Sequence, residues 1–80
     1  MATVRLFASL RELAGAPSVD LPGDTVEDLL QAAARRYGET FDRIARAGSV
    51  ILDGERASGA EPIAGREEIA FLPPVSGGSR

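Results

Sequence analysis

Residues 24 to 38 read DTVEDLLQAAARRYG and form the clearest helix in the chain. Val26, Leu29, Leu30, Ala33 and Tyr37 recur at helical spacing and make one apolar stripe. Thr25 can cap the start, with Asp28 three residues on in the capping-box position; Asp24 and Glu27 offer the same spacing one residue earlier. Glu27 and Asp28 crowd the first turn and Arg35 and Arg36 the last, as the helix dipole favours. Gly38 suits the position just past the end. A helix with one apolar stripe must bury it against another element, and the rest of the chain offers strands.

TVRLFAS, residues 3 to 9, alternates as a strand does. Val4, Leu6 and Ala8 then share the core face, and Phe7 falls on the polar one. LRELAG, 10 to 15, reads as a short helix stopped by Gly15. PSVDL, 17 to 21, reads as a second strand with Val19 and Leu21 inward, close enough to the first for a hairpin. FDRIARAG, 41 to 48, has room for one or two helical turns anchored by Phe41 and Ile44. VILDGERA, 50 to 57, is a hairpin pattern, because Asp53-Gly54 suits a type I′ turn. Residues 58 to 66 read as loop with Ile63 tucked in.

EEIAFLP, 67 to 73, is the last strand pattern, and Pro73-Pro74 ends its ladder because neither can donate a hydrogen bond. Ile69 and Phe71 share one face; Glu68, Ala70 and Leu72 share the other. The order predicts an α+β fold, a mixed sheet of four to five strands with one main helix packed across it. Residues 1–74 form the domain and 75–80 a flexible tail. The uncovered sheet face should be largely polar, yet Phe7, Leu72 and Val75 converge on it if the first and last strands are neighbours. Such a patch marks a binding surface more often than chance does.

Composition narrows the function. With 80 residues the chain has one small core and no room for a deep enzyme pocket. A net charge of −3 argues against nucleic acid as partner. There is no Cys and no His, which removes thiol chemistry, the usual general base and the commonest metal ligand. All nine basic residues are Arg, so no lysine is present to form a Schiff base or an isopeptide bond. No apolar run is long enough to span a bilayer and no signal peptide opens the chain. The expectation is a soluble cytoplasmic domain, without membrane association, that does not catalyse by itself. The acidic pairs Glu27-Asp28 and Glu67-Glu68 are sequence neighbours, which point apart on a helix or a strand, so they read as solvated charge.

The chain closes with FLPPVSGGSR, residues 71 to 80. Pro73-Pro74 stiffens the root of this segment. The four residues from Val75 to Gly78 reach about 13–14 Å when extended. Gly77 and Gly78 lack a Cβ and can pass a narrow channel. Limp Gly-Ser ends without a role are also common.

FLPPVSGG, the opening VRLFASLRELAG and the helix TVEDLLQAAARRYG together resemble the MoaD/ThiS superfamily of ubiquitin-like sulfur carriers, with the small subunit of molybdopterin synthase (MoaD) as the nearest pattern. The resemblance runs in order over nearly the whole chain. It implies a β-grasp fold and a carrier that binds no cofactor of its own. An E1-like adenylyltransferase of the MoaB/MoeB/ThiF type would adenylate the Gly78 carboxylate with ATP and Mg. A sulfur donor would then convert the adenylate to a thiocarboxylate. The synthase large subunit, of the MoaE type, would accept the tail through Gly77 and build the molybdopterin dithiolene. Partner contacts would fall on Phe7, Arg11, Leu72, Pro73, Pro74 and Val75.

Two features depart from that pattern. Arg56 stands where an apolar contact residue could sit, and Ser79-Arg80 leave Gly78 as an internal carbonyl with no carboxylate to activate. The extension fits a precursor trimmed by a tail-processing peptidase, an expression scar, or a protein that has left the carrier role. Other functions remain open beside molybdopterin synthesis: a carrier for thiamin, cysteine, tRNA thiolation or a specialised metabolite, a ubiquitin-like protein modifier, or a binding module with an idle tail.

Overall fold

The computed structural model describes residues 1–75. Val4 and Leu6 alternate with Thr3 and Arg5 in β1 (Ala2–Leu6) and are buried, as the strand period requires. β1 then stops earlier than that period predicts. Phe7 is still extended, with φ −126° and ψ 150°, but Ala8 turns to φ 52° and opens helix α1 (Ala8–Ala14). This left-handed step cancels the alternation. Ala8 is therefore exposed rather than in the core, Ser9 belongs to the helix, and Leu10 takes the inward place. Gly15, at φ 75°, ends α1 and donates its N–H to the Arg11 carbonyl at 2.9 Å. β2 (Ser18–Leu21) returns antiparallel to β1, pairing Val4 with Val19.

The first turn of α2 (Val26–Tyr37) has a partner for every amide that a helix start leaves open. Val26 N–H donates to the Glu61 carbonyl and Glu27 N–H to the Gly59 carbonyl, both from the 58–66 loop. Asp28 N–H donates to Thr25 Oγ1 at 3.2 Å, and the Asp28 carboxylate accepts from the amides of Thr25 and Asp24. The capping box read from sequence is thus complete.

Gly38, at φ 98°, breaks the chain direction, and α3 (Glu39–Ala47) follows at once. It is longer than the one or two turns expected. Phe41 and Ala45, one turn apart, are buried, and Ile44 packs at the edge of the core. Arg46 ties α3 back to α2. Its guanidinium donates to both Glu27 carboxylate oxygens, at 2.9 and 2.8 Å, and to Asp42 at 2.8 Å.

β3 (Ser49–Leu52) and β4 (Glu55–Ala57) form the expected hairpin, with Asp53 at φ 50° and Gly54 at φ 86°. Two successive positive φ values are what a type I′ turn demands. The Asp53 carboxylate also accepts from the amides of Glu67 and Glu68, which pins the approach to β5 (Ile69–Leu72).

The five strands lie in the order β2-β1-β5-β3-β4. β5 runs parallel to β1 and antiparallel to β3, so the sheet is mixed and the last strand is its centre. Val4, Leu6, Val19, Leu21, Val50, Leu52, Ile69 and Phe71 face the helices and join Leu10, Leu29, Leu30 and Phe41 in one core. On the opposite face Thr3, Arg5, Ser18, Asp20, Arg56 and Glu68 are exposed. No helix among the described residues is long and apolar enough to cross a membrane.

The α2 start makes stability depend on pH. The Arg46 guanidinium, with Gln31, holds the Glu27 carboxyl below its ordinary range; the Asp24 and Thr25 amides do the same for Asp28. Carboxyls with depressed folded values bind protons more readily when unfolded. Their contribution is complete above roughly pH 4–5 and is lost as pH falls through the folded values. Urea midpoints should therefore be flat from neutrality to about pH 5 and fall below it. The fall should be shallower in a Glu27→Gln, Asp28→Asn double variant. Parallel curves for the two proteins would show that other groups carry the effect.

Candidate functional site

β5 delivers the chain's final segment from the middle of the sheet. Leu6 pairs with Phe71 on one side, and Ser49 pairs with Leu72 on the other. Beyond Leu72 the ladder ends, because Pro73 and Pro74 have no N–H to donate. Leu72 and Pro73 are half-buried, Pro74 is exposed, and Val75 is 91% exposed. Gly77 and Gly78 lie outside the described residues.

The outer face beside this root is a short apolar surface between two arginines. Register places Arg5 opposite Ala70, Ala70 opposite Ile51, and Ile51 opposite Arg56. One step along, Phe7 continues from β1 at the level of Leu72 and is 38% exposed. The expected neighbours Phe7 and Leu72 are thus brought together, and Val75 follows from the same root. The face is less polar than expected: Ala70 is buried between its neighbours, and Ile51 is half-buried.

Ile51 escaped the sequence reading, because its face depends on the hairpin register. The type I′ turn could have supplied it, since that turn pairs Leu52 with Glu55 and so Ile51 with Arg56. Arg56 is exposed at the sheet edge.

Charge is distributed unevenly around this surface. The Arg5 guanidinium lies 5.6 Å from the centre of the Phe7 ring and 3.2 Å from the Glu68 carboxylate. These contacts hold Phe7 against the sheet while leaving its ring partly open. Arg11 stands one turn into α1, where its N–H donates to the Phe7 carbonyl at 3.4 Å, and its side chain is exposed. Among the described residues no three His, Cys, Asp or Glu side chains gather as a metal site. A shallow depression lined by Met1, Thr3, Asp24, Ile63, Arg66 and Glu67 opens at the other end of β5, away from the tail root. The arrangement places the root of the last segment, Leu72 to Val75, next to a partly apolar surface.

The ThiS family profile matches residues 4–78. The small archaeal modifier protein 1 of Haloferax volcanii is 39% identical over 88 aligned positions, covering 92% of this chain and 97% of the relative. Its crystal structure superposes with a TM-score of 0.67, covering 94% of this chain and 96% of that one. A Pyrococcus furiosus protein provisionally assigned as molybdopterin converting factor subunit 1 superposes with a TM-score of 0.71 at 26% identity, over 91% of this chain and 95% of that one. CysO of Amycolatopsis orientalis, solved in complex with BexX, shares the fold with a TM-score of 0.73 at 23% identity, over 94% of this chain and 97% of that one. With the β-grasp sheet, the central last strand and the matched Gly-Gly segment in place, the chain belongs to the ThiS family, among the ubiquitin-like sulfur carriers of the MoaD/ThiS superfamily.

Proposed function

We propose that the chain carries an activated acyl group on Gly78, and that it serves as the small subunit of molybdopterin synthase. The observation that carries this reading is the placement of the tail root. A central strand, fixed on both sides, ends in Pro73-Pro74 beside the contact surface of Phe7, Ile51, Ala70 and Leu72. The ThiS match stops at Gly78, and in this reading a peptidase removes Ser79-Arg80 before use. In the activated state the Gly78 carboxylate attacks the α-phosphate of ATP, with Mg, on an E1-like partner, and pyrophosphate leaves. A donor of sulfide-level sulfur then attacks the acyl carbon as hydrosulfide, AMP leaves, the S–H proton goes to solvent, and a thiocarboxylate remains. The large subunit takes that sulfur for the dithiolene, and water restores the carboxylate. The domain supplies docking and aim, and the catalytic groups belong to its partners.

A second reading is a protein modifier, favoured by the 39% identity to the small archaeal modifier protein 1. Both readings use the same activated glycine and differ in the acceptor. Intact-mass spectra of the untagged protein from its host separate them. A species ending at Gly78 with one oxygen exchanged for sulfur supports the carrier. A ladder of protein adducts without that exchange supports the modifier. A chain that keeps Ser79-Arg80 beside its activating enzyme would overturn both.

Phe7→Arg tests the docking surface. The added charge meets Arg5 and has no apolar partner to fill. Affinity for the activating enzyme should fall at least about tenfold, as for loss of a central aromatic contact. Stability should change by no more than about 0.5–1 kcal/mol, because the ring is partly open to solvent. Calorimetric titration and thermal melts check the two halves. Unchanged affinity would remove Phe7 from the interface.

A further inference from the structure

Gly48 joins α3 to β3 where the tail leaves the sheet. A Cβ at this position would meet the Leu72 carbonyl oxygen, with the Pro73 carbonyl carbon at 2.8 Å and the Leu72 carbonyl carbon at 2.9 Å. All are backbone atoms, so no change of rotamer relieves the contact. Gly48 has φ −91° and ψ −139°. The close approach of the Leu72–Pro73 backbone leaves no room for a side chain here.

We infer that Gly48 is a positioning residue for the tail: it lets the α3–β3 junction seat against the Leu72–Pro73 peptide and so sets the direction in which Pro74 and Val75 depart. The inference rests on the carrier reading above. The two sides of the contact are unequally held. The Gly48 N–H donates to the Ile44 and Ala45 carbonyls at 3.0 and 3.2 Å, Ala45 is buried, and Ser49 onward is paired in the sheet. Upstream of the tail, Phe71 is fully buried and paired on both sides. Leu72 is paired on one side only, with Ser49, and Pro73 and Pro74 have no N–H to add, so a methyl group at residue 48 presses on the least-held peptide of β5 and the first of the tail. The Pro-Pro pair is stiff and passes that displacement on rather than absorbing it. Misplacement of even about 1 Å can cost an attack on the order of a hundredfold.

The test uses the chain ending at Gly78, which keeps all eight structural elements. ATP–pyrophosphate exchange is measured with the host's E1-like enzyme and MgATP while the carrier concentration is varied. Gly48→Ala should lower kcat at least tenfold and leave KM within threefold, because Phe7, Ile51 and Ala70 are untouched. Unfolding should stay cooperative. Adding Pro73→Gly to Gly48→Ala should return kcat to within threefold of Pro73→Gly alone, since the freed peptide takes up the shift. An unchanged kcat, a defect confined to KM, or loss of cooperative unfolding would overturn the role, the last by placing the clash in the core. If the unaltered chain supports no exchange, the carrier reading itself fails. If it does and Gly48→Ala matches it, only the positioning role fails.

Discussion

A chain that keeps Ser79 and Arg80 should give no acyl adenylate, whereas one ending at Gly78 should support pyrophosphate exchange with the same enzyme. The difference is one of chemistry rather than degree. With Ser79 attached, the Gly78 carbonyl belongs to an amide and has no carboxylate oxygen to attack ATP. Trimming should leave the fold unchanged, because among the described residues the core ends at Phe71. Thermal melts of the two chains should coincide within experimental error while their activities differ from full to background. In the trimmed chain Gly78→Ala should also slow the reaction, because a Cβ crowds the reacting carbonyl in a narrow channel. Equal exchange by the longer and shorter chains would remove Gly78 from the chemistry. Equal turnover by Gly78→Ala would remove only the narrow channel.

The second large effect concerns the strand that carries the tail. Phe71→Ala should cost about 3–5 kcal/mol, the usual range for emptying a buried aromatic site. Phe71 is wholly buried, and its ring centre lies 6.5 Å from that of Phe41, which in turn stacks on Tyr37 at 4.9 Å. The ring therefore links β5 to α3 and, through Tyr37, to the end of α2. A domain of this size has a total stability of roughly 4–12 kcal/mol. The variant should melt about 15–30 °C lower or fail to fold cooperatively. Urea unfolding monitored by circular dichroism would measure it. A loss below about 1 kcal/mol would place Phe71 outside the core. The contrast with Phe7→Arg is instructive: two phenylalanines, one needed for the fold and one for contact, separated by which face of the sheet they occupy.

Local rules carried the reading wherever the cause was local. The capping box at Thr25 and Asp28, the Asp53-Gly54 turn and the Gly15 stop were legible because a few adjacent residues determine each of them. Strand period placed Val4, Leu6, Val19, Leu21 and Phe71 correctly. It failed at Ala8, where a single positive φ ends the alternation; nothing in the residue type announces that step. What remained hidden depends on contacts between distant segments. The carbonyls of Gly59 and Glu61 complete the start of α2, although the 58–66 stretch looks like plain loop. Ile51 joins the site through register, and Gly48 through the approach of the Leu72–Pro73 backbone. Proximity of this kind leaves no pattern in a single sequence. The role proposed for Gly77 and Gly78 came from resemblance to a family rather than from any local rule.

The parallel pairing of β1 with β5 also bears on how the protein is made. Arg5 meets Ala70 across almost the full length of the domain, and β5, the last element described, occupies the centre of the sheet. A nascent chain that lacks β5 has two separate hairpins and nothing between them. Closure must wait for this most distant contact, which makes it the slow step expected of non-local pairing. The apolar outer surface and the root of the tail therefore form together, once β5 is in place. A fragment that stops before β5 should therefore lack both the apolar surface and the tail root.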